Sequence, residues 1–166
     1  DKISINNANV TGTGVYVSTF VGRKYGGSVK NVYVNGNLNI QSTENGGVIG
    51  STHQDIIVDK VIANVNITMT KNTDRFGRNN NGGLIGNVYD APTIKNSISI
   101  GNMTGYQVNN NTINVPKFIG ITEEQIINYL TNCYEFQSAT GTSSVTSSTN
   151  KHLNSTTENN ETRSEM

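Results

Sequence analysis

Asn81-Gly82-Gly83-Leu84-Ile85-Gly86 repeats, with one apolar substitution, the earlier hexamer Asn45-Gly46-Gly47-Val48-Ile49-Gly50. Shorter copies of its apolar-apolar-Gly core stand at Phe20-Val21-Gly22 and Phe118-Ile119-Gly120, so the glycines Gly22, Gly50, Gly86 and Gly120 recur at spacings of 28, 36 and 34 residues. Periods of roughly 20 to 50 residues mark chains built from stacked supersecondary units. Such a unit cannot bury its apolar face alone and needs a neighbour of the same kind.

A second block follows each of the first three triplets. Val29-Lys30-Asn31-Val32-Tyr33-Val34 aligns without gaps with Val58-Asp59-Lys60-Val61-Ile62-Ala63 and with Ile94-Lys95-Asn96-Ser97-Ile98-Ser99. A looser fourth copy is Thr131-Asn132-Cys133-Tyr134, set further from its triplet by residues 121 to 130. Val61, Ala63, Val65, Ile67 and Met69 alternate with other residues at period 2, the mark of a strand with one buried face. Val32, Val34, Leu38 and Ile40 keep that phase in the first copy. In the third copy the phase falls on Ser97 and Ser99 while Ile98 and Ile100 take the other, which leaves its inward face open. Tyr33, Ile62, Ile98 and Tyr134 share a column that reads either as a second buried face or as an exposed stripe.

These features predict an all-β fold, a short right-handed parallel β-solenoid of about four degenerate repeats over residues 1–141, with adjacent strands about 4.8 Å apart. Gly22, Gly50, Gly86 and Gly120 are read as turn glycines, free of the Cβ that penalises left-handed or tight bends. Asn31, Asn96 and Asn132 read either as a stacked amide ladder or as turn residues tolerating the left-handed region. Thr122, Glu123, Glu124 and Gln125 followed by Ile126, Ile127 and Leu130 carry a helix-start pattern, so a short helix is expected before the last strand, capping the exposed edge. Residues 142–166 are almost devoid of apolar side chains and read as a linker or tail, unless Val145 and Leu153 pin it to a neighbour.

Hydrophobic residues make up 33% of the 166, and roughly one residue in six is Asn. This composition suits thin layers rather than a thick core. The formal net charge is +0, which gives no electrostatic reason to expect nucleic acid or an acidic membrane surface. No stretch reaches the roughly 18 apolar residues of a membrane helix, and no basic and apolar leader is present. The chain opens on Asp1 and reads as a part of a larger protein.

Chemistry-bearing constellations are sparse. Cys133 is the only cysteine, excludes an intrachain disulfide, and reads as a buried inert thiol. His53, in a turn, and His152, in the tail, begin no H-E-x-x-H pattern and read as ordinary exposed polar residues. No Gly-x-Ser-x-Gly elbow surrounds a serine, no Lys-Ser/Thr follows the double glycines as a phosphate loop would need, and Asp55, Asp59, Asp74 and Asp90 lack calcium-loop spacing. No catalytic, cofactor-binding or metal-binding residue is therefore assigned. One binding candidate remains, the 71–81 insert with Arg75, Phe76 and Arg78. Arginine and aromatic residues on a long loop suit an interface, against the plainer reading of a solvated Asn-rich loop.

Asn81-Gly82-Gly83-Leu84-Ile85-Gly86 followed by Ile94-Lys95-Asn96-Ser97 resembles the GLUG motif, found in bacterial surface adhesins and upstream of the catalytic region of streptococcal immunoglobulin A proteases and related zinc metallopeptidases. The closing stretch, Lys117-Phe118-Ile119-Gly120 through Leu130-Thr131-Asn132-Cys133-Tyr134-Glu135 to Ala139-Thr140-Gly141, is more similar to the protease branch. The resemblance covers about residues 15 to 141. It implies a secreted or cell-wall parent whose zinc and catalytic glutamate lie elsewhere, since the family's ligands match no position here, and a host glycoprotein such as immunoglobulin A as partner. The alternative is a repeat of a non-enzymatic adhesin binding host matrix or glycans.

Overall fold

A computed structural model describes residues 1–73, 78–90, 92–108, 111–113, 115–120, 130–136 and 151–153. All regular structure among them is β. In chain order the strands are β1 Ile3–Gly12, β2 Val21–Ile40, β3 Asn45–Gly46, β4 Ile49–Met69, β5 Asn81–Gly82, β6 Ile85–Val88, β7 Thr93–Lys95, β8 Ile98–Ser99, β9 Met103–Thr104, β10 Tyr106–Val108, β11 Asn111–Ile113, β12 Leu130–Thr131, β13 Tyr134–Phe136 and β14 Lys151–Leu153. Ten of them form one sheet whose main path runs β1-β2-β4-β8-β13-β14. Its pairings are parallel, and the β10–β11 pair is antiparallel.

Register carries the repeat from strand to strand. Val21 pairs with Ile49, Ile49 with Ile85, and Ile85 with Ile119, so the four apolar-apolar-Gly segments lie side by side. Val21 N–H donates to Val48 O at 3.0 Å, Val48 N–H to Leu84 O at 3.0 Å, and Leu84 N–H to Phe118 O at 2.8 Å. In the second block Val32 pairs with Val61, and Tyr33, Ile62, Ile98 and Tyr134 pair in succession. Val32, Val34, Leu38 and Ile40 are buried, as are Val61, Ala63, Val65, Ile67 and Met69, as their alternation predicts. They share one apolar cluster with Val48, Ile49, Leu84, Ile85, Phe118 and Ile119, so the two blocks of the repeat pack against each other.

The open question of the third copy resolves into burial on both sides. Ser97, Ser99 and Ile98 are all buried, while Ile100 is half-buried. Ser97 is tolerated inside because its Oγ donates to Lys95 O at 2.8 Å and accepts Val61 N–H at 3.2 Å, whereas Ser99 Oγ has no hydrogen-bond partner. Tyr33, Ile62 and Tyr134 are half-buried, so their column is an outer stripe covered only at Ile98.

The turn reading of the asparagine column holds at all three positions, whereas the amide ladder joins only Asn96 and Asn132, since Asn31 Nδ2 donates to Asp1 O at 3.4 Å. Asn31, Asn96 and Asn132 have φ of 55°, 49° and 51°, in the left-handed region. Asn132 Nδ2 also donates to Asn96 Oδ1 at 3.3 Å, and Asn96 Nδ2 to Asp59 Oδ1 at 2.9 Å. Lys60 occupies the same column between them with φ 56° and lacks the short carboxamide that eases this conformation.

The repeat glycines differ from expectation. Gly22, Gly50 and Gly86 lie within β2, β4 and β6, and neither they nor Gly120 has positive φ. Close approach of backbone, rather than a left-handed turn, excludes a side chain: a Cβ on Gly86 would sit 2.5 Å from both N and O of Asn45. Beyond residue 141, β14 pairs in parallel with β13, setting Leu153 opposite Phe136. The helix expected over 121–130 lies outside the described residues, except that Leu130 opens β12.

Gly86→Ala is expected to lower stability by about 2 kcal/mol or more, because the adjoining backbone cannot move aside. Gly14→Ala, where nothing lies within 4 Å of the added carbon, is expected to stay within about 0.5 kcal/mol in the same urea titration. Lys60→Asn is expected to raise stability by about 0.5–1 kcal/mol by relieving the left-handed backbone. An unchanged or lowered urea midpoint would contradict that assignment.

Candidate functional site

Alternation along parallel strands places residues two apart on one face and their register partners one strand away. Ser51 and His53 of β4 accordingly adjoin Arg23 and Tyr25 of β2, and Ser51 also pairs with Asn87 of β6. Tyr89, just past β6, donates its N–H to Thr52 O at 3.2 Å. The rings of Tyr25, His53 and Tyr89 stack in that order, with centroids 4.9 Å and then 4.3 Å apart and planes within 20° and 17° of parallel. Tyr25 is 55% exposed and Tyr89 47%.

Charged groups border this ladder. The Arg23 guanidinium lies 4.7 Å from the Tyr16 ring centroid and 4.8 Å from that of Tyr25. Its Nε donates to His53 Nε2 at 2.9 Å. On the other side Tyr89 Oη donates to Glu44 Oε1 at 2.8 Å, and Arg78 Nη1 is 3.4 Å from the same oxygen. Glu44 is buried, and its Oε2 lacks a hydrogen-bond partner. Burial first, and then the hydrogen bond to Glu44, push the Tyr89 hydroxyl up to about 12. Asp90 Oδ2 accepts Gln54 N–H at 2.5 Å.

His53 therefore differs from the exposed turn residue expected of it, being half-buried in β4 between two tyrosines. Its Nε2 accepts from Arg23, so the neutral ring carries its proton on Nδ1. Ser51 Oγ also lies 3.2 Å from that nitrogen, but this is no nucleophile and base. Ser51 is fully buried, and the lone pair a base would need is engaged by Arg23. Cys133 is buried as well, with burial pushing its thiol up to about 12, so it is inert as expected.

Of the insert residues, Arg78 joins this patch through Glu44, while Arg75 and Phe76 lie outside the described residues. The roots of the insert are fastened to the sheet: Thr73 N–H donates to Gln41 O at 2.8 Å and Asn80 N–H to Thr43 Oγ1 at 2.8 Å. His152 falls within β14, opposite Glu135. Sequence reasoning missed the ladder, although its signal was present: Tyr25, His53 and Tyr89 each stand three residues after a repeat glycine. Among the described residues no group of three or more His, Cys, Asp and Glu side chains could hold a metal ion, and no helix is long and apolar enough to cross a membrane. No protein-family model, curated protein or solved structure matches the chain.

Burial first, then the Arg23 charge, holds His53 below its ordinary 6.5, against the opposing pull of Asp90 and Glu44. The folded chain thus takes up this proton at lower pH than the unfolded chain does. The associated stability is present above 6.5 and is lost as pH falls toward the folded-state value. The melting temperature is expected to drop between about pH 7 and pH 5, and His53→Gln is expected to flatten that segment. An identical slope in the variant would remove His53 as its source.

Proposed function

We propose that the chain is a right-handed parallel β-solenoid of about four repeats serving as a non-catalytic spacer and recognition arm. Its parent on this reading is a large secreted or cell-wall-associated bacterial zinc metallopeptidase of the immunoglobulin A protease kind. The observation that carries the architectural part is the unbroken parallel register across the four apolar-apolar-Gly segments. Parallel neighbours need a return path between them, and here each pair is separated by one repeat whose two blocks share a core. A stack of that kind grows along one axis and presents the same flank on every layer, which suits holding a partner away from a distant site.

The metallopeptidase parent rests on the sequence resemblance of the repeats and of the closing stretch. Zinc and the catalytic residues would belong to another part of that parent. The host partner would be a glycoprotein such as immunoglobulin A, engaged outside the cell.

Surface plasmon resonance with this chain immobilised is expected to show saturable binding of immunoglobulin A, with no hydrolysis of that protein with or without added zinc. Far-ultraviolet circular dichroism is expected to be β-dominated. Cleavage by the isolated chain would overturn the non-catalytic assignment, and a helical spectrum would overturn the solenoid. Binding of a matrix glycoprotein in place of immunoglobulin A would favour the adhesin reading.

A further inference from the structure

We propose that Arg23, with Tyr16, Tyr25 and the Tyr25–His53–Tyr89 ladder, forms a binding site for a carboxylated sugar, a pyranose bearing a carboxylate as in a uronic or sialic acid. The proposal rests on the recognition-module reading only in taking this flank as one that meets partners.

Arg23 is the anchor. Its guanidinium is exposed yet held flat by two tyrosine rings at 4.7 and 4.8 Å and by the 2.9 Å bond from Nε to His53. Arg78 differs, being paired with Glu44. Among the described residues the terminal nitrogens of Arg23 have neither ion pair nor hydrogen bond, so the two-pronged face of the guanidinium is left for a ligand. Such a fork matches the two oxygens of a carboxylate. Fixing the side chain during folding also removes most of the ordering penalty that binding would otherwise carry.

The surrounding charge selects the class of anion. Glu44 is compensated by Arg78, while Asp90 adds an uncompensated negative charge at the ladder's edge. A second negative charge on a ligand would meet the Asp90 carboxylate, which disfavours a phosphate dianion against a monoanion. The tyrosines select what carries the carboxylate. Exposed rings at Tyr25 and Tyr89, spread over successive centroid spacings of 4.9 and 4.3 Å, offer an apolar edge beside the fork. A rigid pyranose presents a C–H face and its carboxylate together, whereas a glutamate side chain brings a flexible stem that must be ordered.

The test is calorimetric titration of the chain with sialyllactose, with a hyaluronan tetrasaccharide, with neutral lactose and with a hexaglutamate peptide. Binding of either carboxylated sugar is expected, with lactose at least about tenfold weaker, and the preferred sugar identifies the source of the acid. Arg23→Gln and the charge-conserving Arg23→Lys are each expected to weaken binding about tenfold or more, since Lys retains charge and loses the fork. Circular dichroism and melting of both variants guard against misfolding. The site is overturned if neither carboxylated sugar binds, if lactose or hexaglutamate binds as well as they do, or if folded Arg23→Lys and Arg23→Gln bind like the parent chain. Those results with an intact β spectrum would leave the spacer and recognition reading in place, whereas a helical spectrum would remove that reading by itself.

Discussion

Two buried carboxamides hold successive repeats at a fixed distance, and much else follows from that spacing. Asn45 Oδ1 accepts Val17 N–H at 2.7 Å, and Asn81 Oδ1 accepts Asn45 N–H at 3.0 Å, so the first residue of each full hexamer ties itself to the repeat before it. Both asparagines are fully buried, where a backbone donor left without its acceptor costs about 1–3 kcal/mol. The double glycines that follow let main chain pass main chain with no room for a Cβ. A sheet locked in this way cannot slip by one residue, because a slip would break the amide contacts and turn every buried side chain outward.

Fixed register explains how so few apolar residues make a core. Each long strand contributes a row of inward side chains, and neighbours on the adjacent strand complete their burial, as with Val34 and Ala63. Some polar residues enter because the main chain satisfies them, as at Ser97, while Ser99 Oγ and the Asn87 carboxamide are buried without a hydrogen-bond partner. The same geometry builds the aromatic ladder. His53 is stacked on Tyr25 and Tyr89 because equal positions in three repeats are brought within ring contact.

The repeat, the parallel partners of each triplet and the buried columns at Val32 to Ile40 and Val61 to Met69 were legible in the sequence, because period-2 alternation and glycine spacing report directly on pairing. The glycine mechanism was not. A residue without a side chain signals either backbone freedom or close approach, and only the contact of Gly86 with Asn45 decides between them. Burial on both sides of Ile98 was equally hidden, since alternation presumes that one face is wet. The ladder is not legible from histidine or tyrosine taken singly, because only the register of three strands brings their rings together. Leu153 shows the limit of composition: a segment poor in apolar residues still contributes a strand opposite Phe136.

The second and third copies pair across a sequence separation of 36 residues, whereas the first and second pair across 29. The extra length falls between Met69 and Asn81, and its two ends are stitched to Gln41 and Thr43. Loop length is thereby uncoupled from strand register. Mutation can lengthen, shorten or rewrite that excursion while leaving the paired strands undisturbed, so the scaffold can acquire new surface shapes faster than its interior changes.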